Sequence, residues 1–496
     1  MTQPYYTYDA VALGEQIRLG NVSAEALLEA TITRAQTLQG RFNFLAIDLF
    51  DQAREYTPPV GSPFAGVPFL VKDLNQRING VADTAGSRGF RNRIAQGDSY
   101  YVQRVQAAGF NILGRTTASE IGLKAVTETQ FYGPTRNPWD PSRTSGGSSG
   151  GTGAAVAAGV VPAAGASDGG GSIRIPAAYG GLFGLKPSRG RISAGPAVDE
   201  GWMGASVDGV ISRSVRDSAY LLDILCGAQP GDPVPLPKPP IPFAQSMLTP
   251  LRPLRIGYYT QSPLGTEVHP EHIAAVEATA EKLRALGHVV EPAIPPVKGP
   301  DLAMCYLETY LGATAHQIWL AKDQYGARDS DFELDTRMLG MLGEALSAGA
   351  FVASRHRWNE FARALARYFT EYDLYLCPTT AQPPARIHEL DQPRGMQLLM
   401  RLMLTLRAGK LLLKTNLLRD LAMKSLARTP FTQMANLTGT PAMSVPLAQT
   451  QSGLPIGVQF GAVHGQEALL LQLAAQLELA HPWGSRYADL WSKWVE

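Results

Sequence analysis

The sequence predicts an α/β protein, on three observations. Residues 254–292 read as strand, helix, strand: LRIGYY, then PEHIAAVEATAEKLRALGH, then VVEP. Residues 66–74, GVPFLVKDL, hold a short apolar run ending at Lys72, the pattern of a strand buried on both faces. Residues 23–38, SAEALLEATITRAQTL, carry apolar positions at helical spacing.

Each element has a local reason. Ser23 is the expected N-cap of the first helix, its hydroxyl accepting from a free N–H of the first turn. From about 133 to 190 the chain is dominated by glycine, serine, alanine and proline. Within it GTGAAVAAGVV, 151–161, predicts a small-residue helix able to pack closely. The proline-dense stretch 228–253 predicts a linker or a long surface crossing. In the strand–helix–strand unit, Pro270 sits near the helix start and Gly287 near its end. No internal repeat is visible.

Residues 391–428 carry eight Lys or Arg against two Asp, with many Leu and Met. They predict a helical, basic and apolar insertion, with Arg407, Lys410 and Lys414 on one face. Two readings stand for it. One is a packed helical pair with its cations in solvent. The other is a mobile apolar lid, with Met400 and Met403 on it, or a surface for a membrane or a second subunit.

Composition excludes several classes. Of 496 residues, 45% are hydrophobic and 18% charged, which describes a globular chain with a sizeable core. A rule of about 150 residues per domain would suggest three domains, though large α/β enzymes break it. The net charge of +1 argues against nucleic-acid binding driven by overall charge. Cys226, Cys305 and Cys377 are far apart and form no CxxC pair, so a reducing compartment is expected and no zinc framework. The N-terminus, MTQPYYTYDA, lacks a basic and an apolar signal region. No uncharged apolar stretch of about 18 residues occurs, so no membrane span is expected, and the expected location is cytoplasmic.

Three stretches carry chemistry: GVPFLVKDL with Lys72, SGGSSGGTG (145–153) with Ser148, and SDGGGSIRIP (167–176) with Ser172. Amide hydrolysis builds negative charge on the carbonyl oxygen, and converging backbone N–H groups are its usual stabiliser. Glycine reaches the required φ values freely, so Gly169, Gly170, Gly171 and Ser172 could form such a nest. A serine hydroxyl there needs a base. No histidine is nearby; the nearest are His269 and His272. A buried lysine can be neutral and serve instead, which selects Lys72. The Ser148 hydroxyl both donates and accepts, so it can relay the proton.

These three motifs together resemble the amidase signature family. So do RNPWDPSR (136–143), GLKPSRGRIS (184–193), FTQMANLTGTPAMSVP (431–446) and GLPIGVQF (453–460), so the resemblance runs from about residue 10 to about residue 485. It implies one large α/β/α domain, 1–496, around a mixed sheet. It also implies a Ser–cis-Ser–Lys triad: Ser172 as nucleophile, Ser148 as bridging serine after a cis peptide bond, Lys72 as base. Asp168 and Arg174 match the family as braces of the loop. Gly169 departs from it, since members often carry Thr, Ile or Ala there. No cofactor and no metal is implied, and the expected partner is a small-molecule amide. Within the family the chain most resembles hydrolases of 6-aminohexanoate cyclic dimers.

Blander readings compete with each feature. SGGSSGGTG alone would be a flexible loop. It also matches G-x-S-x-G, but that elbow needs a preceding strand, and Pro138 and Pro141 argue against one. HPEH at 269–272 lacks further metal ligands. Cys226 and Cys377 lie in apolar contexts and read as core. Phe131, Tyr132 and Thr144 are expected near the substrate pocket, though aromatic residues are as often plain core. Rival functions are a carbamate or ester hydrolase, a non-catalytic homologue, and the glutaminase subunit of a tRNA-dependent amidotransferase. The last often carries an acid just before the FT-like stretch, where this chain has Thr429 and Pro430. A homodimer is left open.

Overall fold

The computed structural model describes residues 3–415 and 417–494, the side chains of 417–419 and 421 excepted. Its centre is an eight-stranded mixed sheet. The order is Val289–Pro292, Arg255–Tyr258, Leu374–Pro378, Pro455–Ala462, Ala442–Gln449, Phe183–Lys186, Val207–Ser212, Ala163–Asp168. The first three strands run parallel and the remaining neighbours antiparallel. Every residue of Pro455–Ala462, Val207–Ser212 and Ala163–Asp168 is buried, so both faces of the sheet are covered there. The apolar cluster beneath the helices extends from Tyr5 to Trp491.

The expected elements form with local causes visible. The Ser23 hydroxyl accepts from Ala26 N–H at 3.0 Å and opens the helix Ala24–Phe42. Pro270 begins the helix Pro270–Ala285, and the two flanking strands pair in parallel as the strand–helix–strand reading requires. Residues 228–253 cross the surface with one short helix, Phe243–Ser246. No helix among the described residues is long and apolar enough to cross a membrane.

Two expectations need correction. A strand, Asp140–Thr144, does precede the SGGSSGG turn. It pairs with Arg136–Asn137 outside the central sheet, with one further bridge from Arg143 to Arg386, and such an edge ribbon tolerates Pro141. The 391–428 segment is not one continuous stripe. It forms Arg394–Thr405, Gly409–Leu412 and Leu417–Leu426, and Arg407 adopts φ 51 between the first two. That left-handed residue ends the helix, so Arg407, Lys410 and Lys414 share no single helical face. Met400 is buried and Met403 half-buried.

A second, three-stranded sheet carries the strand Pro68–Lys72, paired in parallel with Asn111–Thr116. The turn after Lys72 is pinned by Arg115, which is fully buried. Its guanidinium donates to Asp73 Oδ1 at 3.0 Å, Asp83 Oδ1 at 2.8 Å and the Gln76 carbonyl at 3.1 Å. Removing one member of a buried ionic cluster leaves the others unpaired. Arg115→Met is therefore expected to cost about 3–5 kcal/mol of stability, read from the urea unfolding midpoint.

Candidate active site

Lys72 ends a strand whose five residues are all buried. The Lys72 N–H donates to Gln76 Oε1 at 2.7 Å, and Gln76 Nε2 donates to the Ala166 carbonyl at 3.0 Å. This amide splices the lysine strand to Ala163–Asp168 of the central sheet. The Lys72 ammonium position then meets two hydroxyls: Ser148 Oγ at 2.8 Å and Ser167 Oγ at 2.9 Å. Burial pushes the amine down to about 7, against the attraction of Asp208 and Asp168. Burial likewise pushes Asp208, bonded by Gln76 Nε2 at 3.3 Å, up to about 7. Both groups are driven toward their neutral forms, and the Lys72–Asp208 attraction opposes this in each.

Ser148 lies on a turn enclosed by the fold. All of residues 144–158 are buried. The peptide bond Gly147–Ser148 is cis. Thr127 clamps the turn, its hydroxyl donating to the Gly146 carbonyl at 2.9 Å and accepting from Gly150 N–H at 3.2 Å. The helix Gly150–Ala157 follows directly.

Ser172 closes the loop that leaves Ala163–Asp168. Asp168 organises that loop. Its carboxylate accepts Gly171 N–H at 2.7 Å and Ile173 N–H at 3.2 Å, and takes Arg174 Nη2 and Asn436 Nδ2 at 2.9 Å each. Burial alone would raise this carboxyl, but Arg174 holds it well below the usual range. Gly171, at φ 124, therefore turns its N–H onto Asp168, which leaves a smaller nest than the four expected donors. Among the described residues, the N–H groups of Gly169, Gly170 and Ser172 meet no acceptor, and neither does the half-buried Ser172 hydroxyl.

The loop is walled by two residues of the FTQMANLT stretch and by two aromatic residues that the sequence did not single out. The Gly170 carbonyl accepts from Thr432 Oγ1 at 2.6 Å and Gln433 Nε2 at 3.2 Å. The Tyr306 hydroxyl packs so close to Gly170 that a methyl there would overlap it, and Trp202 packs on Gly169, where a methyl would sit tightly at 3.0 Å from the ring. Trp202 stands edge-on to Tyr310, with centroids 5.5 Å apart. Ser167, a direct partner of Lys72, sits one residue before Asp168 in the motif itself, which was the available signal. Trp202 and Tyr306 reach the loop only through tertiary packing and leave no local signature.

The three residues expected near the substrate pocket make defined contacts within the chain. Tyr132 shares a 3.0 Å hydrogen bond with Thr84, which in turn bonds Asp73. Phe131 packs on Tyr132, with centroids 4.4 Å apart. Buried Thr144 donates its N–H to the Ala385 carbonyl at 2.9 Å and accepts from Gly146 N–H at 3.2 Å. His269 caps its helix by accepting from Glu271 N–H, and His272 is held neutral by burial, down to about 4. All three cysteines are free and buried.

The chain is similar to known amidases along nearly its whole length. The family model described as Amidase matches residues 26–471. A 6-aminohexanoate-cyclic-dimer hydrolase of Pseudomonas sp. (strain NK87) is 38% identical, over 97% of this chain and 96% of the relative. A solved structure of 6-aminohexanoate cyclic dimer hydrolase complexed with substrate superposes with a TM-score of 0.89 at 37% identity, covering 98% of this chain and 100% of that one. A bacterial aryl acylamidase of the amidase signature enzymes superposes with a TM-score of 0.84 at 25% identity, covering 99% of each chain. With a family match over most of its length, and relatives above 30% identity across nearly all of it, this chain belongs to the amidase signature family and is an amidase.

Proposed function

We propose that the protein hydrolyses an uncharged carboxylic amide through an acyl-enzyme on Ser172. The observation that carries this is the 2.8 Å contact between a fully buried Lys72 Nζ and Ser148 Oγ, one loop away from Ser172. Neutral Lys72 accepts the Ser148 proton while Ser148 Oγ takes the proton of Ser172. Ser172 Oγ attacks the carbonyl carbon, and the oxyanion forms against the N–H groups of Gly169, Gly170 and Ser172. The same relay returns one proton to the leaving nitrogen as the C–N bond breaks. Water, deprotonated by the relay, then cleaves the ester and releases the acid.

The substrate class follows from the relatives and the walls. Trp202 and Tyr306 offer apolar aromatic surface at the loop. A substrate of the lactam-oligomer or aryl-amide type fits these walls better than glutamine, whose charged ends need paired charges. Where a glutaminase subunit often has an acid, Pro430 lines an apolar cavity here. Three free cysteines suit a cytoplasmic setting.

Ser172→Ala is expected to abolish hydrolysis of amides while the unfolding midpoint stays put. Ser148→Ala and Lys72→Met should each lower kcat by about 10²–10⁴-fold, the usual range for removing a general base. Retained activity in Ser172→Ala would remove the nucleophile assignment. The pH dependence has a definite sign. Lysine is a base only when neutral, and the neutral fraction grows as pH rises through about 7. The kcat/KM profile should therefore fall about tenfold per unit below that point and level off above it.

Gly170→Ala sets a methyl against the Tyr306 hydroxyl. It should lower kcat by about 10²-fold or more by displacing the oxyanion donors, and cost about 1–3 kcal/mol from overpacking. The double variant Gly170→Ala/Tyr306→Leu should recover most of that stability in thermal unfolding.

A further inference from the structure

The first helix of the 391–428 segment, Arg394–Thr405, is apolar on two sides. One side holds it to the protein. Met400 is buried, Met403 and Leu404 are half-buried, and the helix packs on Leu334–Ala345. The other side is uncovered. Leu398, Leu402 and Leu406, spaced four apart, are 71%, 53% and 67% exposed. We propose that this outer face docks on an anionic lipid bilayer, with the helix lying flat among the headgroups.

Three observations carry it. The first is the concentration of uncovered apolar surface. Seven of the twenty large apolar side chains that are exposed among the described residues fall between Leu390 and Leu411. Single exposed leucines are ordinary on any protein surface, but a contiguous group marks a face that something else covers. A helix that is apolar on both sides is normally buried on both.

The second is the arrangement around the helix. At about 100° per residue, Leu398, Leu399, Leu402 and Leu406 share one sector, and Arg394 and Arg401 stand at its edge. This is the form of a helix that lies in an interface, its leucines toward the acyl chains and its long basic side chains reaching to the headgroups. Exposed Leu411 continues the pattern on Gly409–Leu412.

The third is the charge. Residues 392–415 carry Arg394, Arg401, Arg407, Lys410 and Lys414, all exposed, and no acid. On the helix beneath, Asp335 pairs with Lys124, and Glu344 is the one exposed acid. A basic rim around leucines complements a layer of anionic headgroups. It does not complement a second copy of this chain, because a two-fold contact through this face would set the same cations against one another.

The test uses the whole protein and vesicles of two compositions, phosphatidylcholine alone and phosphatidylcholine with about 30% phosphatidylglycerol. In co-sedimentation at about 0.1 M salt, partition to the anionic vesicles should be about tenfold stronger or more, and raising salt to about 0.5 M should weaken it severalfold. Leu398→Glu/Leu402→Glu removes the apolar stripe and adds charge that the headgroups repel. It should lower binding to anionic vesicles about tenfold or more, while hydrolysis of a small water-soluble amide is unchanged. Arg401→Gln/Lys410→Gln/Lys414→Gln leaves the leucines in place and should remove most of the preference for anionic lipid. Leu402→Ser keeps the test valid if the double variant does not fold. Failure of the native protein to bind anionic vesicles overturns the proposal. So does equal binding to both compositions, or binding that the folded leucine variants leave unchanged. A dimer in analytical ultracentrifugation that these variants dissociate would assign the face to a second copy and overturn it as well.

Discussion

Everything in the site depends on keeping one amine out of water. Lys72 has no exposed surface. An ammonium there would be strongly disfavoured, and the amine needs neighbours that satisfy it without fixing its charge. Two serine hydroxyls meet this need because each can donate or accept. The surrounding charges are arranged to the same end. Asp168 is close enough to attract the ammonium, but Arg174 neutralises its field at 2.9 Å. Asp208 is itself pushed toward its protonated form by burial. An unpaired carboxylate in either place would favour protonated Lys72, which could not accept the proton in the proposed relay.

The glycine loop is held by the same kind of logic, from two directions. From within, Asp168 gathers Gly171 and Ile173. From outside, Thr432 and Gln433 hold the Gly170 carbonyl, and Asn436 Nδ2 donates to the Asp168 carbonyl at 2.9 Å. Arg174 Nη1 reaches the Thr432 carbonyl at 2.8 Å and Gln459 Oε1 at 2.7 Å. The carbonyls of Asp168, Gly170 and Gly171 thus have partners, while the N–H groups of Gly169, Gly170 and Ser172 have none among the described residues. In the proposed reaction, a loop held this way would present its donors before substrate arrives, as preorganised dipoles do when they lower a barrier.

The legible parts of this design are those that local chemistry dictates. An apolar run that stops at a lysine announces a buried amine. Small residues around Ser148 and Ser172 announce close backbone packing, and Ser23 and Pro270 announce helix starts. The mixed sheet follows from the family resemblance, with only its strand–helix–strand corner visible in local pattern. Other features were less legible. Asp168 lies three residues before Gly171, the spacing at which an aspartate side chain captures a backbone N–H, so the loss of that donor was readable but outranked by the glycine pattern. Pro141 argued against a strand, yet an edge ribbon has no need of its N–H. The leucine spacing through 391–428 is continuous and gives no warning of the left-handed turn at Arg407. Trp202 and Tyr306 belong to the site only because distant elements pack on the glycine loop.

The hydrogen bonds that shape the nucleophile loop span great lengths of chain. Arg174 and Asn436 are separated by 262 residues, Arg174 and Gln459 by 285, and Lys72 and Ser148 by 76. Contacts this remote in sequence close late, after the entropy of large loops has been lost. During synthesis, residues 432–459 leave the ribosome at least 260 residues after Ser172. A nascent or truncated chain can therefore hold the lysine strand and both serines and still lack a formed loop. On the proposed mechanism, hydrolytic competence follows only once residues 432–459 have folded onto the Ser172 loop, so a chain that lacks them is expected to be inactive.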